Sequence, residues 1–282
     1  MSELSIASVL GTSMPRIKVI AVGAADVGAP EIYAEIIRKD YGELIGFEPD
    51  PEAYNRLIER IRQGDGSSNV LYLPMAVGDG SESNLYLTNS GMTSSLFRPN
   101  YHLLEKFHDL AELYQVVSEK KVKTVRLDDL EEVSDADWLV MDTQGSELNI
   151  IRGARRLLEE SIVVVQTEVL FIPHYIGQPL FSDIDIALRE CGFLIHSLTG
   201  IACPLMKSFP KSLTSLRTQA SWTDFIYAKD FMRLGELTSR KRLALATILH
   251  EVYRSYDLCS HVLRTHDEIE GTSFYDIYIS RL

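Results

Sequence analysis

Between Asp137 and Leu158 an apolar run, Trp138 to Met141, ends in a carboxylate, Asp142. A polar turn, Thr143-Gln144-Gly145, then leads into a segment that carries Leu148, Ile151, Ala154, Leu157 and Leu158 at helical spacing. This spacing predicts an amphipathic helix over 146–159. A short buried strand that delivers an acid at its C-terminal tip, just before a helix, is how open α/β sheets build ligand sites.

The same alternation recurs along the chain. An apolar run at 17–22 closes on Gly23, and a helix is expected from about Pro30. A strand at 44–47 ends in Glu48-Pro49 and is followed by a helix over 51–61 and a strand over 70–77. Between 84 and 127 the rhythm changes. Residues 84–88 and 93–97 read as the two arms of a hairpin, 103–114 as a helix and 122–127 as an extended run. After 159 come a strand at 162–167, a helix at 183–191 and strands at 193–198 and 224–229. These seven core strands, with helices between them, predict an α/β fold with a doubly wound, mostly parallel sheet. Residues 1–15 are a lead-in and 16–232 the sheet domain. Residues 233–282 are a helical extension, expected either to cap the ligand mouth or to form the face of a homodimer.

Charge and composition exclude several classes. Forty acids against 28 bases give a net charge of −12. That argues against a nucleic-acid partner, because neutralising phosphates needs clustered Lys and Arg. The densest basic runs, 119–123 and 239–242, read as solvated faces. The three scattered cysteines, Cys191, Cys203 and Cys259, make neither a disulfide framework nor a zinc site, and fit a reducing cytoplasm. No apolar run approaches the roughly 18 residues of a membrane span, and the acidic N-terminus does not read as a secretory signal. His102, His108, His250, His261 and His266 lack metal-ligand spacing, and no metal is expected.

The turn after the first strand, Val22-Gly-Ala-Ala-Asp-Val-Gly28, has Ala25 where a dinucleotide fingerprint needs its second glycine. It is a poor cradle for a diphosphate, which disfavours a nicotinamide oxidoreductase. Glu48, at the tip of the second strand, is positioned to accept hydrogen bonds from both hydroxyls of a ribose. Asp142 and Glu168 stand at neighbouring strand tips, facing one cleft. Asp142 could instead be a helix N-cap, and Glu168 an ion-pair partner of Arg152 or Arg155. His174, in the turn Pro173-His174-Tyr175, offers a neutral imidazole as a general base, or is an ordinary loop histidine.

The order D-x-Q-G-x-E-L-x-x-(I/L)-x-G-A-x-x-L-L from Asp142 closely resembles the FkbM-type methyltransferases. Matching pieces occur in order at 22–26, 46–50, 76–79, 93–96, 125–130, 166–171 and 174–184. The resemblance implies a class I methyltransferase (Rossmann-like) fold with six parallel strands and one antiparallel strand, at 224–229. It implies S-adenosyl-L-methionine as cofactor and methylation of a hydroxyl on a sugar, glycan precursor or secondary metabolite. Carried onto this chain, the cofactor site comprises Gly23, Ala24, Asp26, Glu48, Pro49, Ala76, Asp79 and Gln144. Asp142, Glu168 and His174 are the catalytic candidates. Residues 178–181 would form an acceptor wall, with Tyr175 and Phe181 able to stack on a ring. The family's usual acid two residues before Gly23 is Ala21 here, with Asp26 as the nearest substitute. That departure and the helical tail favour the competing reading, a non-catalytic binding or assembly module that retains the fold.

Overall fold

The apolar runs become strands because both of their faces are covered. In the computed structural model, which describes residues 5–23, 31–65 and 69–282, the strands are β1 (Ile17–Val22), β2 (Gly42–Phe47), β3 (Val70–Leu73), β4 (Glu82–Thr88), β5 (Val116–Lys123), β6 (Trp138–Met141), β7 (Val164–Leu170), β8 (Phe193–Leu198) and β9 (Trp222–Lys229). Seven of them form one sheet in the order β3-β2-β1-β6-β7-β9-β8. All are parallel except β9, which runs antiparallel to both of its neighbours. This is the expected class I methyltransferase sheet. Strand order reverses between β1 and β6, and such a switch point is where open α/β sheets bind ligands.

The helices are α1 (Ala7–Leu10), α2 (Ala34–Arg38), α3 (Pro51–Arg60), α4 (Tyr101–Leu104), α5 (Leu110–Leu113), α6 (Glu147–Gly153), α7 (Arg155–Glu160), α8 (Phe181–Glu190), α9 (Ser239–Glu251), α10 (Tyr256–Glu270) and α11 (Phe274–Ile279). α3 begins where the sequence signals it: the Asp50 carboxylate accepts from the Ala53 N–H and Pro51 fills the first turn. α6, α7 and α8 cover one sheet face through Ile150, Leu158 and Leu188.

Several boundaries differ from expectation, each for a physical reason. β3 stops at Leu73 because Pro74 has no N–H to continue the ladder. The helix expected over 146–159 is two helices that break at Ala154. Gly153 lies so close to the Gly78 carbonyl that a Cβ would sit 1.9 Å from its oxygen, and the Asp128 carboxylate starts α7 afresh by accepting from Arg156 N and Leu157 N. The helix expected over 103–114 is likewise the short pair α4 and α5, with Asp109 at φ +61 between them. The expected hairpin survives as one bridge, in which Tyr86 and Ser95 exchange backbone hydrogen bonds. The full partner of β4 is β5. β7 extends to Leu170 because β9 pairs with it along its whole length.

The helical tail, expected as a cap or an oligomer face, packs its first helix on the sheet. α2 is only five residues long, so Val19, Trp138, Val164 and Ile226 on that face need another cover. α9 supplies it and is buried without interruption from Arg242 to His250. The run 239–242, read as a solvated face, is built into this contact. Arg240 and Lys241 both bind the fully buried Asp137 carboxylate, at 2.6 and 2.7 Å. Arg242 is buried against Glu270 and the Leu237 carbonyl. Asp137 also accepts from Lys18 N, so one carboxylate ties β1, β6 and α9 together. Asp137→Ala leaves the buried Lys241 ammonium without its counter-charge, although it keeps Asp135 O, Ala136 O and Ser161 Oγ as acceptors, and should cost about 3 kcal/mol. Arg240→Ala, at a side chain 45% exposed, should cost about 1 kcal/mol or less. Urea unfolding midpoints of the two variants check the ranking.

Candidate active site

The site is assembled by the residues that immediately follow the strands. Gly23, Glu48 and Asp142 each donate a backbone N–H to the adjacent strand, to Phe47 O, Leu73 O and Val22 O. Their side-chain positions therefore form a row along the carboxyl edge. Gly23 is at φ +82, and a Cβ there would lie 2.0 Å from the Asp142 carbonyl oxygen. Only glycine allows β1 and β6 to end this close together. A cleft opens over this junction, lined by Gly23, Glu48, Pro49, Ala76, Asp142 and Gln144, with Leu85, Leu87 and Ser94 from β4 and its following turn forming the opposite wall.

Glu48 is 5% exposed. Its one side-chain hydrogen bond among the described residues comes from Asp50 N, at 2.7 Å. Burial pushes its pKa up to about 7, with Asp50 adding to the rise and the Asp50 N–H and Arg56 opposing it. A buried carboxylate with so few donors is suited to a ligand that brings its own.

Asp142 is solvent-exposed and lines the cleft beside Gln144. Desolvation raises its pKa to about 6, and Asp224 adds to this. Glu168 is pushed well above the usual carboxylate range by burial and by the charges of Asp142, Glu147 and Asp224. The Gln144 amide joins the two acids, donating to Asp142 Oδ1 at 2.7 Å and to Glu168 Oε2 at 2.9 Å. Its own oxygen accepts from Tyr175 Oη. Gln144 sits at φ +55, a conformation costly for a residue with a Cβ. It is held there by Ser95 Oγ, which donates to its carbonyl at 2.6 Å.

Asp142 is not a helix cap. The N-cap position of α6 is Ser146, without a side-chain cap, and Glu147 instead secures the preceding turn, its Oε1 accepting from Thr143 N, Thr143 Oγ1 and Gly145 N. Nor does Glu168 pair with Arg152 or Arg155; Arg155 binds Glu159 and Glu190. Glu168 lies within β7, opposite Asp224 on β9, one hydrogen bond behind the cleft lining. Asp224 was missed by the sequence reading, although an acid at the start of the apolar strand Trp222–Lys229 was a visible signal.

Four expected residues are placed elsewhere. His174 is fully enclosed, with Nδ1 on Tyr114 Oη and Nε2 on Ser221 Oγ. Burial drops its pKa to about 4, so it is a neutral core group remote from the cleft. Asp79 folds back onto Ser81 N outside the lining. Phe181 stacks on Phe225 in the core. Gln178 binds Tyr175 N rather than facing the cleft. Ala24 and Asp26 lie outside the described residues. Ala21 is 3% exposed and belongs to the apolar cluster that includes α9.

A switch-point cleft with an acid on the second strand defines a Rossmann-like nucleoside site. The methyltransferase FkbM domain model matches residues 22–195, more than half of the chain. The chain belongs to the FkbM methyltransferase family, whose cofactor is S-adenosylmethionine. Among solved structures it is similar to the methyltransferase FkbM of Methylobacillus flagellatus KT, with 14% identity and a TM-score of 0.44 over 80% of this chain and 48% of that one. The chain therefore spans about half the length of that protein. It is also similar to a putative methyltransferase of Thermoplasma acidophilum (10% identity, TM-score 0.41, 77% of this chain and 70% of that one). A third similar structure is a precorrin-6y C5,15-methyltransferase of Geobacter metallireducens GS-15 (11% identity, TM-score 0.41, 79% and 87%). No curated protein matches the chain.

An acid whose pKa is higher folded than unfolded holds its proton preferentially in the folded state. Its stabilising share is full below the unfolded value and is lost as pH rises through the folded one. Asp142 and Glu168 both have this sign, so the ionised row weakens the fold above about pH 6. The double variant Asp142→Asn/Glu168→Gln should gain melting temperature over wild type at alkaline pH and lose that gain at acidic pH. Calorimetric scans across the range test the sign.

Proposed function

We propose that this chain is an S-adenosylmethionine-dependent O-methyltransferase acting on a hydroxyl of a sugar, glycan precursor or secondary metabolite. The observation that carries the reading is the pair of raised-pKa acids, Asp142 and Glu168, bridged by Gln144 beside the Glu48 cleft. The residues fit the cofactor. Glu48 lacks the donors that a ribose diol supplies, and Gly23 leaves the backbone open to close approach. Pro49 and Ala76 offer apolar surface for a base, while Asp142 and Gln144 stand where the amino-acid end would lie. When bound, the cofactor supplies a sulfonium methyl, already a good electrophile.

The protein must then align the acceptor and remove its proton. With a pKa of about 6, Asp142 is ionised at neutral pH and is the group in the cleft able to take a hydroxyl proton. Glu168, held well above the usual range, keeps its own proton and so limits the charge crowded around Asp142. Gln144 fixes both carboxyls, and Tyr175 fixes Gln144. Partners are small-molecule or glycan acceptors in this reading.

Titrating S-adenosylmethionine by calorimetry tests the cofactor half. Glu48→Ala should weaken binding by about 10- to 100-fold, the range for hydrogen bonds to a charged group. Wild-type affinity should rise as pH passes upward through about 7, because the ionised carboxylate is the stronger acceptor; Glu48→Gln should flatten that rise. Absence of wild-type binding would sink the proposal. For the acceptor half, labelled-methyl transfer to a panel of hydroxylated acceptors should fall by about 100-fold or more in Asp142→Asn, as expected on losing a general base. A panel with no turnover would favour the non-catalytic binding module.

A further inference from the structure

The connection from β8 to β9 leaves and re-enters the sheet at the carboxyl edge, the edge that carries Asp142 and Glu168. Its charge is unlike the rest of the molecule. The chain has 40 acids and 28 bases, yet no Asp or Glu occurs between Glu190 and Asp224. Lys207, Lys211 and Arg217 lie in that interval. Every residue from Met206 to Gln219 is exposed. Among them Met206, Phe209, Leu213 and Leu216 recur at a 3-4-3 spacing, and Leu216 is 61% exposed.

The base of this excursion is fixed rather than loose. His108 N donates to Leu205 O and Lys207 N to Lys106 O, while His108 Nε2 meets Phe209 O at 2.9 Å. Lys211 is tied to Asp109 at 2.7 Å. Lys207 and Arg217 form no salt bridge among the described residues. Apolar tips are therefore held out in water on a braced segment with cations between them, and this arrangement needs a reason.

We propose that the excursion is a docking surface for an anionic lipid bilayer. Interleaved long apolar and basic side chains are what an interfacial segment uses, the apolar tips entering the headgroup region while the cations meet lipid phosphates. Charge complementarity chooses this occupant. An anionic surface repels the acidic body and attracts this acid-free face, whose apolar tips the basic run 119–123 lacks, and this orients the molecule with its carboxyl edge toward the membrane. The proposal concerns surface binding only; no helix among the described residues is long and apolar enough to cross a membrane.

Sedimentation with sucrose-loaded phosphatidylcholine vesicles, with and without phosphatidylglycerol, tests it on the full chain. Wild type should pellet with the anionic vesicles alone, and less at high salt. Lys207→Glu/Arg217→Glu should reduce the partition coefficient by about 25-fold or more, at about fivefold per basic residue lost. Phe209→Ser/Leu216→Ser should reduce it by about tenfold or more through lost apolar burial. Unchanged melting temperatures would show that both variants fold, as expected for exposed positions. Wild type that stays in the supernatant, variants that pellet as well as wild type, or equal binding to neutral vesicles each overturn the proposal. Binding of labelled RNA without vesicle binding also overturns it and assigns the surface to nucleic acid.

Discussion

The approach of Gly23 to the Asp142 carbonyl, with no space for a Cβ between them, is the constraint from which the candidate site follows. It brings the tips of β1 and β6 together where the strand order reverses. Backbone hydrogen bonds then extend the row, so that Glu48 and Asp142 fall on either side of Gly23. A larger residue would have to move the carbonyl of the residue whose carboxylate faces the cleft. Backbone spacing and acid placement are thus one property of this fold.

Crowding of acids follows from that geometry. Asp142, Glu168 and Asp224 sit on adjacent strands, and Glu147 lies just behind them. Four carboxylates this close should not all be ionised. The chain manages the conflict in two ways. Glu147 is surrounded by donors from the Thr143–Gly145 turn, while Asp142 and Glu168 share a single amide. The left-handed backbone of Gln144 is the local cost of placing that amide between them, and Ser95 and Tyr175 hold it from outside the sheet. Such an arrangement weakens the fold at alkaline pH and preserves a titrating group in a cleft, a combination characteristic of functional sites.

The sheet was legible in the sequence because its information is local. An apolar run, a terminal acid and an amphipathic helix lie within about twenty residues of one another. Glu48 and Asp142 could be placed for the same reason. What escaped depends on residues far apart in the chain. β4 looked like half of a hairpin because the turn at 89–92 is local, whereas its partner β5 lies some thirty residues on. The break between α6 and α7 needs Gly78 and Asp128. His174 reads as an exposed loop histidine until Tyr114 and Ser221 are seen to enclose it. The basic run 239–242 looked solvated because its partner Asp137 is a hundred residues away.

The tail also bears on Ala21, the one departure from the family's pattern. In β1 alternate residues face opposite sides, and Ala21 joins Ile17 and Val19 in the cluster that contains α9, while Ile20 and Val22 face α6 to α8. An acid at position 21 would point into an apolar layer, where an unpaired carboxylate is costly. Alanine, 3% exposed, fits that layer. Glu48, Asp142 and Gln144 remain around the cleft on the carboxyl edge, which that layer leaves open.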